Sequence, residues 1–93
     1  MKNRYLFFKR KYNNYLLLVK KKDKYHTFNY DKLILNFINF KNIRDLQKNK
    51  INYIIIDNLE IEFISENEDN NYQLYLLRAF FINMIKQIEG TAD

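Results

Sequence analysis

The 93-residue chain contains no cysteine, no proline, no tryptophan, one glycine and one histidine. Without cysteine there is no disulfide framework, thiolate metal site or Cys nucleophile. One glycine rules out a Gly-rich phosphate loop and a dinucleotide-binding fingerprint. With no Pro- or Gly-rich linker and this length, one domain spanning residues 1–93 is expected. Long apolar runs are also missing. The N-terminal Tyr5-Leu6-Phe7-Phe8 run stops at Lys9, Arg10 and Lys11, short of the apolar core of a signal peptide. The stretch Leu74 to Ile85 contains Arg78 and Asn83 and falls below the roughly 20 residues a bilayer requires. A cytoplasmic protein with no membrane partner is the expectation.

What is abundant is equally skewed. Phe, Tyr, Met, Ile, Asn and Lys account for 56 residues, whereas Gly, Ala, Arg and Pro account for 7. The first group has A/T-rich codons and the second G/C-rich ones, so a very AT-rich genome, such as that of a phage or mobile element, is the simplest cause. Nucleotide bias does not explain where the charges fall. Residues 1–50 carry 14 Lys/Arg against 3 Asp/Glu, a net +11, and residues 51–93 carry 2 against 8, a net −6. A basic pole suits phosphates or an acidic protein surface.

Asn13-Asn14 lies between two stretches rich in aromatic and branched residues, 4–12 and 15–22, and Asn tolerates the positive φ of a tight turn. A β-hairpin is therefore expected there. A third strand is expected over Tyr25 to Tyr30, followed by a helix capped by Asp31 and carrying Phe37, Phe40, Ile43 and Leu46, with a strand over 32–40 as the competing pattern. Ile51–Ile56 and Leu59–Glu66 flank Asp57-Asn58, and the second alternates Leu59, Ile61 and Phe63 with acidic residues, as a one-face-buried strand does. The final helix is expected over about 72–89, opened by Asn70 and Gln73 at capping-box spacing and closed by Gly90. The fold expected is α+β, an antiparallel sheet of four to five strands with two helices in the order ββ(β)αββα.

Three features bear on function. If Asn13-Asn14 is the turn, Lys2 and Arg4 sit beside Lys20, Lys21, Lys22 and Lys24 at the open end of the hairpin, and Lys9, Arg10 and Lys11 collect near the turn among Tyr12 and Tyr15. Cations for phosphates with aromatic faces for bases are what a single-stranded nucleic-acid surface needs. The same aromatics also suit a core, and lysine-rich edges discourage strand aggregation.

The second feature is the last helix. Leu74, Leu77, Phe81, Met84 and Ile88 follow 3-4-3-4 spacing and are expected to pack on the sheet. Tyr72, Tyr75, Leu76, Ala79, Phe80 and Ile82 make the remaining side apolar as well, which points to a homodimer or a protein partner on that outer side. The third is a weak acidic set. Asp57, Glu60 and Glu62 have the chemistry of a nuclease metal site, but a solvated strand face explains them as well. His26 alone does not make a base.

The function expected is therefore a non-catalytic binding protein, without metal or cofactor, whose basic N-terminal hairpin engages nucleic acid or a ribonucleoprotein. The alternative is a protein-protein interaction module acting through the last helix, such as a phage or mobile-element inhibitor of a host complex.

Overall fold

The computed structural model of the chain describes residues 1–91. Its elements run α1 (Lys2–Lys11), β1 (Leu16–Lys21), β2 (Lys24–His26), α2 (Asn29–Phe37), α3 (Ile43–Lys48), β3 (Tyr53–Asp57), β4 (Glu60–Ile64) and α4 (Tyr72–Thr91). The class is α+β as expected, with a four-stranded mixed sheet of order β2-β1-β3-β4 and four helices.

At the centre, β1 and β3 pair in parallel from Leu16 opposite Tyr53 to Lys20 opposite Asp57, which corrects the expectation of an all-antiparallel sheet. The runs Leu16-Leu17-Leu18-Val19 and Tyr53-Ile54-Ile55-Ile56 are buried without interruption. Unbroken apolar runs are what strands covered on both faces carry. Leu17, Val19, Ile54 and Ile56 pack with Tyr5 and Phe8 of α1, while Leu16, Leu18, Tyr53 and Ile55 pack with Ile34, Leu46, Tyr72 and Ala79. Helices thus cover both sides of one small sheet.

The segment expected as the first strand is α1. Its ten residues include no β-branched side chain, and Tyr5 and Phe8 are buried while Leu6 and Phe7 between them face outward. Lys9, Arg10 and Lys11 fall in its last turn, where cations meet the negative end of the helix dipole. The hairpin over 4–12 and 15–22 accordingly does not exist. The true N-terminal hairpin is β1–β2, turning at Lys22-Asp23 with Lys21 opposite Lys24.

The expected helix after Asp31 is divided in two. Asn39 adopts a left-handed φ of 54°, and Asn42 opens α3 with a complete capping box closed by Asp45. Asn42→Ala should lower stability by about 1 kcal/mol, read as a lower urea midpoint with an unchanged denaturant slope. Asp31 does not cap α2; Phe28 occupies that position without a side-chain cap bond.

The β3–β4 hairpin stands where expected, with Asn58 at φ 57° in its turn. Its alternation is interrupted, because Ile55 faces Phe63 while Ile56 faces Ile61, leaving Glu62 as a bulge. Ile61 and Ile64 consequently pack on the α1 side, and Phe63 stacks on Tyr53 on the other, with ring centroids 5.4 Å apart.

Helix α4 is rotated relative to expectation. Tyr72 and Ala79, assigned to a partner surface, are buried in the chain's own core, with Tyr75 and Leu76 packed beside them. Leu74, Leu77, Phe81, Met84 and Ile88, expected against the sheet, are exposed. Small Ala79 and hydrogen-bonding Tyr72 allow close approach to the core, which a stripe of larger side chains does not. Ile82 stays on the surface, where it lines a shallow groove with Phe37 and Lys86. Gly90 is an ordinary helical residue, and Asn70 accepts from the Tyr72 amide while Gln73 reaches Asn14.

Candidate nucleic-acid interface

The sequence sets the basic hairpin in motion at Lys22-Asp23. Both residues take positive φ, 53° and 61°, the geometry of a two-residue turn whose twist suits paired strands. Lys21, Lys22 and Lys24 are exposed around this turn, and Lys21 and Lys24 are directly opposed. Tyr25, 39% exposed, lies across from Lys20. Lys20 itself turns toward the acidic half of the chain. Its Nζ lies 3.4 Å from Glu62 Oε1, and that carboxylate raises the lysine's pKa.

The other basic candidates are dispersed. Lys2 is exposed and Arg4 half-buried on α1, so neither is paired with Lys20–Lys24 across a strand ladder. Arg10 and Lys11 border a cavity of about 530 Å³ formed with Phe7, Phe8, Tyr12 and Ile61. Tyr12 and Tyr15 meet edge to face at 5.9 Å and are half-buried against the α1 side of the core. Lys11 lies over the Tyr12 ring.

Lys9 has a different role. Its Nζ is 3.0 Å from both carboxylate oxygens of Asp31, donates to the Tyr15 carbonyl and to Tyr72 Oη at 2.8 Å, and lies over the Tyr72 ring. Asp31, fully buried, also accepts from Tyr5 Oη at 2.7 Å, Tyr72 Oη at 2.6 Å and the Leu17 amide at 3.1 Å. A buried carboxylate is tolerable when a cation and several donors meet it. Among the described residues no buried side-chain N or O atom lacks a hydrogen-bond partner.

This cluster positions the hairpin. The β1–β2 ladder begins only at Val19, so the outer edge of Leu17 has no strand partner. Asp31 takes the Leu17 amide and Thr27 Oγ1 donates to the Leu17 carbonyl at 2.7 Å, so side chains complete the edge where β2 has ended. α1, β1, α2 and α4 are thereby tied at one point. Sequence inspection missed this cluster because an Asp at a helix start reads as a cap, and its partners are 14 to 41 residues away.

Burial, and then the Asp31 charge, pushes the Tyr5 and Tyr72 phenols well above their ordinary pKa, and burial lowers that of Lys9 against the opposing pull of Asp31. For the phenols the folded-state pKa exceeds the unfolded one, so their contribution to stability is intact below about pH 10 and is lost as pH rises above it. Tyr5 and Tyr72 should therefore ionise only as the protein unfolds in alkali. In a near-ultraviolet absorbance titration, the phenolate signal accompanying unfolding should shrink in Tyr5→Phe and Tyr72→Phe; an unchanged signal would contradict the burial of these groups.

Asp57, Glu60 and Glu62 border a groove of about 250 Å³ that also receives Lys20. Among the described residues, no group of three or more His, Cys, Asp or Glu side chains is placed to hold a metal ion, and no helix is long and apolar enough to cross a membrane. Comparison with known proteins gave no match: no family model, curated protein or solved structure is significantly similar to this chain.

Proposed function

We propose that this protein is a non-catalytic nucleic-acid-binding module whose contact surface is the tip of the β1–β2 hairpin. The observation that carries the proposal is the gathering of Lys21, Lys22 and Lys24, all exposed, around a two-residue turn, with exposed Tyr25 on the other face of the same edge ribbon. Like charges directly opposed across a strand pair are destabilising. An anion placed between Lys21 and Lys24 removes that cost, and a row of phosphates does so for all three lysines. Because β2 is the edge strand, a nucleic-acid strand crossing that edge also meets Tyr25, whose exposed ring offers a stacking face to an unpaired base, the part that the packed Tyr12 and Tyr15 are poorly placed to play.

The hairpin is held by the Asp31 and Thr27 contacts at Leu17, so the lysines are presented on a fixed support rather than on a loose loop. Such rigidity limits the ordering cost of binding. Titrating the isotopically labelled protein with a short single-stranded oligonucleotide tests the assignment. The largest amide shifts are expected over residues 20–25, with small ones over α3, which meets Tyr53 beside the start of β1, at the far end from the tip; shifts confined elsewhere would relocate or reject the interface. A protein-binding role for α4 is supported separately by its exposed apolar stripe.

A further inference from the structure

The outer face of α4 is the feature that nucleic-acid binding leaves unused. Leu74, Leu77, Phe81 and Met84 recur at alternating spacings of three and four residues and are 44%, 68%, 61% and 44% exposed. In heptad terms they are two successive a/d pairs, the seam by which helices pair in coiled coils. The core-facing residues Tyr72 and Ala79 fall at the f positions, on the opposite side of the helix from this seam. The seam is thus held outward by the protein's own packing.

We propose that this seam pairs with the same seam of a second copy of the chain, giving a two-fold symmetric dimer. The charge pattern is compatible with a like partner. The positions flanking the seam are Gln73, Phe80 and Gln87 on one side and Arg78 and Ile85 on the other. Arg78, the one charge among them, is held over the Tyr75 ring. Coiled-coil helices that select a different partner do so with complementary charges at these positions. A nearly uncharged border imposes no such selection and no strong like-charge penalty when two copies meet.

The area is adequate as well. Leu74, Leu77, Phe80, Phe81 and Met84 together expose roughly 500 Å² at their fractional exposures, and Tyr30, 54% exposed against Phe80, brings the face to roughly 600 Å². A specific interface begins at about 600 Å² per partner, and this patch already equals the largest found on a typical monomer. Phe80, in edge contact with Tyr30 of α2 at 5.9 Å, widens the contact beyond α4. A dimer formed here carries two lysine tips, so the pairing would raise the avidity of the protein for one long polyanion. The dimer does not depend on the nucleic-acid assignment, since it rests on α4 alone.

Sedimentation equilibrium of the full chain, without nucleic acid, is the test. Twice the 11.6 kDa chain mass is expected for the wild type, and the single-chain mass for Leu77→Glu/Phe81→Glu with an unchanged far-ultraviolet spectrum. A photoreactive phenylalanine at position 81, aromatic for aromatic, keeps the test decisive if the double variant fails to fold. It should give a covalent dimer on illumination, whereas the same group at Lys86, on the opposite side, should not. A wild type that stays at single-chain mass at all attainable concentrations, or a dimer that survives the double substitution, would overturn the proposal.

Discussion

Asp31→Ala is expected to lower folding stability by about 3–5 kcal/mol, the range for removing one partner of a buried ion pair. The loss is large because several groups are abandoned together. The Lys9 ammonium loses its counter-charge, the Tyr5 and Tyr72 hydroxyls lose their acceptor, and the Leu17 amide is left without a partner at a strand edge. Each unsatisfied buried polar group costs about 1–3 kcal/mol, and more when charged. Relaxation and water entry keep the total below that sum. Against a whole-domain stability of about 5–15 kcal/mol, the variant stands near the threshold of folding.

Asp31→Asn preserves the shape and part of the accepting capacity but leaves Lys9 unneutralised, so a smaller loss is expected. Tyr72→Phe removes one hydroxyl that both donates to Asp31 and accepts from Lys9, and about 1–2 kcal/mol is expected. Urea titrations order the three variants. A loss below 1 kcal/mol for Asp31→Ala would show that the cluster does not hold the helices to the sheet.

The second large effect concerns binding. Lys21→Glu/Lys22→Glu/Lys24→Glu should weaken binding to single-stranded nucleic acid by about 10²-fold or more near physiological salt and reduce the salt slope by about two, because each lost phosphate contact on a single strand removes about 0.7 from it. Folding stability should barely change, since all three side chains are exposed and the opposed pair Lys21 and Lys24 repels in the native state. Lys20→Glu is the informative comparison. It removes a cation already engaged by Glu62 and places two acids together, so its effect on stability should exceed its effect on the salt slope. Equal binding by wild type and triple variant would remove the hairpin tip from the interface.

How much of this was visible in the sequence depends on how local each signal is. The β3–β4 hairpin and α4 were legible because an Asp-Asn turn between apolar runs, and a long apolar periodicity, are local patterns. α1 was hidden by its aromatics, which suggest strand, although the lack of Val, Ile or Thr between Lys2 and Lys11 was the contrary signal. The parallel pairing of β1 with β3 was foreshadowed by two unbroken apolar runs, but choosing partners needs knowledge of what covers each face. The orientation of α4 was not legible, because both of its sides are apolar and hydrophobicity alone does not say which meets the core.

The candidate site shows the same division. The lysines stand out in the sequence, but reading 4–12 as a strand assigns them to the wrong hairpin. With α1 a helix, Lys9 leaves the surface set to neutralise Asp31 and Lys20 joins Glu62, so a broad basic surface contracts to a compact tip.

The role proposed for this tip is binding nucleic acid through its phosphates. Fluorescence anisotropy of a labelled single-stranded oligonucleotide, repeated across a series of salt concentrations, measures it directly. Dissociation constants below the non-specific range of roughly 10⁻⁴–10⁻⁶ M are expected, with a log-log salt slope of at least about 2. Absent or salt-independent binding would contradict that role.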